Sequence, residues 1–281
     1  MQAKRALGPV SGHHEANRRF YDDGHHVAYW ARQTELLPVE RLVFGRHIGP
    51  GMDVLDLGVG GGRTTPFLSE RARRYVGVDY AQGMVDVCEA RFPHLTFLCA
   101  DAADLPMLDA QSFDAVVFSL GGIDYLTPPA KRRQALAEAH RLLRTGGLFI
   151  CSRHNPRALV RLPGMPGQPN SPMGPLRTAV AVPVWAARRT VRMLPTRAFW
   201  TGEGMIEQPP GGFNSPVLPW SRARRAARGR AGVFTEMATP ARVQRELDDA
   251  GFEVVAVHGT PYPRRARALW TNWYYYVAVR R

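Results

Sequence analysis

The sequence predicts an α/β fold: a doubly wound, mostly parallel sheet with helices on both faces. Three observations predict it. Five short apolar runs alternate with helical periods between residues 52 and 152. The first run ends in a cluster of glycines that precedes a helical segment. After residue 234 the alternation resumes with one more helix and two more strands.

The elements follow in order. Residues 12 to 48 read as helical cover, with Val27, Trp30, Ala31 and Thr34 on one face. The Gly49-Pro50-Gly51 turn leads into the first strand, Met52 to Leu57. Tyr75 to Val78, Thr96 to Cys99, Phe113 to Ser119 and Leu148 to Cys151 are the next four strands. Between them Met84, Val87 and Cys88 share a helical face, as do Leu136, Ala139 and Leu143, and Thr145-Gly146-Gly147 closes the latter helix. Thr239-Pro240 opens a helix whose Val243, Leu247 and Ala250 fall at i, i+4 and i+7. Gly251 ends it, and Phe252 to His258 and Trp273 to Val279 close the pattern. The predicted organisation is therefore residues 1–48 as cover, 49–154 with 234–281 as one core, and 155–233 as an insertion within it.

The composition narrows the class. The chain has 281 residues, 45% of them apolar and 22% charged, enough to bury a core and unlike a disordered chain. No apolar run approaches the ~20 residues that span a bilayer, and Gly8, Pro9, Ser11 and Gly12 interrupt any signal-like core, so a cytoplasmic protein is expected. Cys88, Cys99 and Cys151 are odd in number and lack C-x-x-C spacing, which supports neither a disulfide framework nor a zinc site. The His13-His14 and His25-His26 pairs place neighbouring side chains apart on a helix, so no metal is expected. The net charge of +13 is local: residues 155–233 hold 12 arginines against Glu203 and Glu207, with 12 of the 23 prolines.

The chemistry is concentrated after the first strand, in Asp56-Leu57-Gly58-Val59-Gly60-Gly61-Gly62. A buried strand ending in such a turn lets a ligand approach the backbone at the carboxyl edge of the sheet. A dinucleotide turn needs G-x-G-x-x-G, and that register fails: position 63 is Arg and position 65 is Thr. What remains is D-x-G-x-G-x-G, followed by Gly77-Val78-Asp79-Tyr80, Cys99-Ala100-Asp101-Ala102, Phe113 to Ser119, and Leu142-Leu143-Arg144-Thr145-Gly146-Gly147-Leu148.

This series resembles the class I S-adenosylmethionine-dependent methyltransferases over about residues 14 to 155 and 234 to 281. The resemblance implies a seven-stranded sheet with an antiparallel last strand. It implies S-adenosylmethionine as cofactor, met by Asp56, Gly58, Gly60, Gly62, Asp79, Tyr80, Met84, Asp101, Ala102 and Ser119. Asp79 would accept from the ribose hydroxyls, while Asp101 and the Ala102 amide would meet the adenine; Asp56 is read equally as a turn-orienting acid. Phe20-Tyr21-Asp22 resembles the family's entry segment, which makes Tyr21 a cofactor contact. His154 and Asp124, on the loops after strands five and four, are the candidate catalytic residues. A loop histidine that orients backbone and a turn-capping aspartate are the alternatives.

The expected reaction is methyl transfer to an oxygen or nitrogen of a small-molecule acceptor, with residues 155–233 as its lid. The arginines and aromatics of that insertion also suit RNA or a lipid-linked substrate. A non-catalytic binding module is the remaining alternative. The sequence carries no signal for the oligomeric state.

Overall fold

A computed structural model describes residues 12–155, 204–208, 233–259, 271 and 273–281. Three helices open it: α1 (Gly12–Asp22), α2 (Gly24–Ala31) and α3 (Pro38–His47). Then follow β1 (Asp53–Leu57), α4 (Thr65–Arg71), β2 (Arg74–Asp79), α5 (Gln82–Arg91), β3 (Thr96–Cys99) and β4 (Phe113–Phe118). A single 3-10 turn, Gly122–Tyr125, leads to α6 (Pro129–Leu142) and β5 (Leu143–His154). Beyond these lie β6 (Gly204–Gln208), β7 (Val233–Met237), α7 (Pro240–Asp249), β8 (Phe252–Gly259) and β9 (Trp273–Arg280).

Seven strands form one sheet in the order β3-β2-β1-β4-β5-β9-β8. β1 to β5 run parallel, and β9 lies antiparallel between β5 and β8. Strands β1, β2 and β4 are buried on both faces because helices cover both sides. One core, around Leu55, Leu57, Val116, Phe149 and Tyr276, packs against α6 and α7; the other, around Val43, Phe44, Val54, Val117 and Tyr275, packs against α3, α4 and α5. Phe149 is fully buried and stacks on Phe252 at 5.1 Å. Phe149→Ala is expected to cost about 3–5 kcal/mol, read from a urea transition, because the cavity cannot collapse between two packed layers.

The structure differs from the sequence reading in four places. Thr34, read on a helical face with Val27, Trp30 and Ala31, lies beyond the end of α2 and is exposed. β7, which falls in the range assigned to the core, pairs antiparallel with β6 in a separate two-stranded sheet, so the core sheet resumes only at β8. α6 ends at Leu142 and β5 begins at Leu143, with an irregularity between Phe113 and Ala115 of its partner strand absorbing the Gly146-Gly147 turn. On α5, Val85 is buried where Val87 was expected. Most of the 155–233 insertion, with all its arginines, lies outside the described residues, and with it the lid, RNA and lipid readings.

Candidate active site

In a doubly wound sheet the crevice forms where the winding reverses. Here that point lies between β1 and β4, and a cavity opens at their carboxyl ends. It brings together Tyr21, Gly58, Gly60, Asp79, Tyr80, Met84, Asp101, Ala102 and Ser119, all named from the sequence. Asp56, Gly62, His154 and Asp124 are not among its lining residues.

Asp79, at the end of β2, is built into the cavity wall. Its Oδ2 accepts from the Gly60 amide at 2.9 Å and its Oδ1 from the Ala81 amide at 3.0 Å. Burial raises its pKa to about 6, against the lowering effect of those amides. The two amides leave lone pairs on both oxygens for further donors. Gly60 itself has φ +54°, and a Cβ there would meet nothing within 4 Å, so the turn leaves open space beside the Gly60 backbone. Beside it the Tyr80 hydroxyl is buried with no hydrogen-bond partner among the described residues.

Asp101 closes the other end. His14 Nε2 pairs with its Oδ2 at 3.0 Å, Lys131 Nζ donates to the same oxygen at 2.9 Å, and the Ala103 amide donates to Oδ1 at 2.9 Å. Burial alone would raise its pKa, but His14, Lys131 and the amide hold it far below the ordinary carboxylate range. His14, which the sequence reading weighed only as part of a histidine pair, is therefore a partner of the site. Tyr21, from the same helix, faces Tyr125 edge-on with ring centroids 5.4 Å apart.

Asp56 stands behind the glycine turn. Thr64 Oγ1 and the Tyr75 hydroxyl (2.9 Å) both donate to its Oδ2, and it is 1% exposed. Of its two readings, turn support is the one this geometry favours. Burial raises its pKa to about 6, so the folded state holds the proton more tightly than the unfolded chain. That contribution is complete below the unfolded value near 4 and is lost as pH rises through 6. Asp56→Asn is therefore expected to gain up to about 3 kcal/mol on the wild type between pH 4 and pH 7, measured by urea unfolding at each pH. Gly62 supports packing: a Cβ there would stand 2.7 Å from Phe92 Cε2 on the α5 side.

Sequence reasoning missed a buried cluster under the cavity. Glu40, with no exposure, receives both Arg63 guanidinium NH2 groups, the Ser119 hydroxyl, the Tyr275 hydroxyl at 2.8 Å and the Leu37 amide at 2.7 Å. Arg63 and Ser119 line the cavity, as does Trp30. The donors come from residues between 3 and 235 positions away in sequence, a separation no local pattern reveals.

Asp124 and His154 sit together at the carboxyl ends of β4 and β5. Asp124 Oδ2 meets His154 Nδ1 at 2.8 Å and accepts from the His154 amide at 2.7 Å, while Arg153 Nε donates to Oδ1. Asp124 has no exposure. Both its oxygens are engaged inside the protein, by Arg153 and by the His154 amide and ring. Among the described residues, no group of three or more His, Cys, Asp or Glu side chains is arranged to hold a metal ion.

Comparison with known proteins agrees with this geometry. Residues 54–147 match the model of a family described as a methyltransferase domain. A probable S-adenosylmethionine-dependent methyltransferase of Mycolicibacterium smegmatis is 36% identical over 127 residues, which cover 45% of this chain and 46% of that protein. The chain carries a methyltransferase domain over residues 54–147. A demethylmenaquinone methyltransferase of Clavibacter sepedonicus is 34% identical over 122 residues, 41% of this chain and 48% of that one. The chain thus spans about half the length of the curated relatives it matches.

Solved methyltransferases share the fold. The Burkholderia thailandensis 1,6-didemethyltoxoflavin-N1-methyltransferase, bound to 1,6-didemethyltoxoflavin and S-adenosylhomocysteine, superposes with a TM-score of 0.58 at 17% identity, covering 100% of this chain and 93% of its own. The glycopeptide N-methyltransferase MtfA, complexed with S-adenosylmethionine, gives 0.53 at 20% identity, covering 86% and 92%. The methyltransferase domain described here has the groups such a nucleoside needs: a carboxylate with spare lone pairs, open space above Gly60, and the unpartnered Tyr80 hydroxyl. No described helix is long and apolar enough to cross a membrane.

Proposed function

We propose that this protein transfers the methyl group of S-adenosylmethionine to an oxygen or nitrogen of a small-molecule acceptor. The Asp79 carboxylate carries the reading, because it is buried at the switch point and already oriented by two backbone amides. In this reading Asp79 accepts from the ribose hydroxyls, while Asp101 and the Ala102 amide hold the adenine. Met84, Tyr80 and Tyr21 pack around the nucleoside, and the Gly58 and Gly60 backbone admits it at close range. Asp56 and Gly62 act one layer back by holding the turn, and Ser119 ties the far wall to Glu40.

When bound, the cofactor supplies a methyl group on positively charged sulfur that leaves as part of a neutral thioether. The chain's own work is to orient the acceptor and to exclude water from the cavity. An acceptor of this kind is supported by two proteins of similar fold, named as a 1,6-didemethyltoxoflavin N1-methyltransferase and a glycopeptide N-methyltransferase.

Titration calorimetry with S-adenosylmethionine and S-adenosylhomocysteine tests the reading. One site per chain is expected for each ligand. A folded protein that gives no heat with either overturns it.

A further inference from the structure

The pairing of Asp124 with His154 goes beyond binding. His154 ends β5 with its ring held on three sides. Asp124 takes Nδ1 at 2.8 Å, the Tyr125 ring meets it edge-on at 5.7 Å, and the Trp273 ring lies 5.6 Å away. Gly121 makes the fourth contact possible: a Cβ there would stand 2.5 Å from His154 Cε1, so only glycine lets the imidazole lie against this turn. The same turn supplies Gly122 and Tyr125 to the cavity wall. The ring is 11% exposed, and Nε2 is the ring nitrogen that Asp124 does not use.

Asp124 is itself fixed from behind. Arg153 donates to it and, through Nη1, to Glu246 Oε2 at 3.0 Å. Arg132 donates to Glu246 at 3.1 and 3.2 Å and to Glu236 of β7 at 3.0 Å. Burial would raise the Asp124 pKa, but Arg153 and His154 hold it below the usual carboxylate range, so it stays an acceptor. An ionised Asp124 facing Nδ1 stabilises the tautomer with the proton on Nδ1 and the lone pair on Nε2.

We propose that His154 Nε2 is the proton acceptor for methyl transfer to a hydroxyl or heteroaromatic N–H, and that Asp124, clamped by Arg153, is the positioning residue that sets its tautomer. The inference rests on the methyl-transfer reading above. The acceptor's proton passes to Nε2 as its oxygen or nitrogen bonds to the methyl carbon. The electron pair of the broken carbon–sulfur bond stays on sulfur, and the proton later leaves His154 for water. The acceptor class that needs this device keeps its proton at neutral pH; a carbon nucleophile or a free amine does not call for it.

Two measurements on the full chain test this. Imidazole nitrogen NMR, with His154 assigned by its absence in His154→Gln, is expected to show Nδ1–H and unprotonated Nε2 at pH 8, with or without S-adenosylhomocysteine. In Asp124→Asn that tautomer is expected to be lost. An Nε2–H ring in the wild type, or the same tautomer in the variant, overturns the proposal whether or not an acceptor has been found. Turnover is then followed with a panel of phenols and hydroxylated heteroaromatics. For any acceptor methylated, kcat is expected to fall about 100-fold or more in each variant, with the acid limb of the pH profile gone in His154→Gln and KM little changed. Wild-type kcat in His154→Gln overturns the base. S-adenosylhomocysteine binding within about twofold of wild type in both variants, or in Gly121→Ala if Asp124→Asn does not fold, separates this role from cofactor binding. A wild type that binds no S-adenosylhomocysteine removes the methyl-transfer reading instead and leaves the tautomer result standing.

Discussion

Asp79→Asn is expected to weaken S-adenosylhomocysteine binding by at least about 100-fold, read by calorimetry on protein whose thermal unfolding matches the wild type. Hydrogen bonds to a charged group contribute about 1.5–3 kcal/mol each, so losing two of them accounts for a factor of this size. The effect is large because the carboxylate is preorganised: the Gly60 and Ala81 amides fix both oxygens before any ligand arrives. The wild type carries a related signature in pH. Burial places the Asp79 pKa at about 6. Ligand hydroxyls bond more strongly to the ionised form, so affinity is highest above that value and falls as pH drops through it. Between pH 7 and pH 5 a loss of about tenfold is expected, and the Asn variant should lack that slope. Flat affinity in the wild type over this range would assign the ribose to another group.

Glu40→Ala is expected to destabilise the fold by about 3–5 kcal/mol, seen as a fall of roughly 10 °C in the unfolding midpoint. Glu40 is the sole acid bonded to the Arg63 guanidinium among the described residues, and Arg63 is only 7% exposed. Removing the carboxylate strands that cation in the protein interior and leaves the Ser119 and Tyr275 hydroxyls without their shared acceptor. Burial penalises both ions, yet their attraction outweighs it: Glu40 is held below and Arg63 above its ordinary pKa. A paired replacement, Glu40→Leu with Arg63→Met, should recover much of the loss, since the cost lies in the unpaired charge more than in the missing pair. Equal damage from the single and double variants would contradict that account. Because Arg63 and Ser119 also line the cavity, the double variant separates their support of the fold from their place in the site.

The sheet and the glycine turn were legible because they obey short periods. β1, β3, β8 and β9 fall within a residue of the positions expected from apolar runs, and Asp79 and Asp101 stand at strand ends that those runs define. The Glu40 cluster was not legible. Its members come from α3, the turn after β1, the end of β4 and β9, and only tertiary packing brings them together. Asp124 shows the same limit differently: its position after β4 was readable, but the Arg153 and His154 bonds that occupy both its oxygens depend on how β5 lies beside β4. β7 was not read as a strand from the sequence, and its partner β6 lies inside the insertion.

The placement of β9 has a consequence for synthesis. It lies inside the sheet, bonded to β5 on one side and β8 on the other, yet it is the last strand in sequence. On the ribosome, β5 is complete more than a hundred residues before its neighbour is made. Through that interval the backbone from Leu148 to His154 presents bare amides and carbonyls, an invitation to stray strands. The nascent molecule therefore carries an unpaired edge along β5 until residues 273–280 are made.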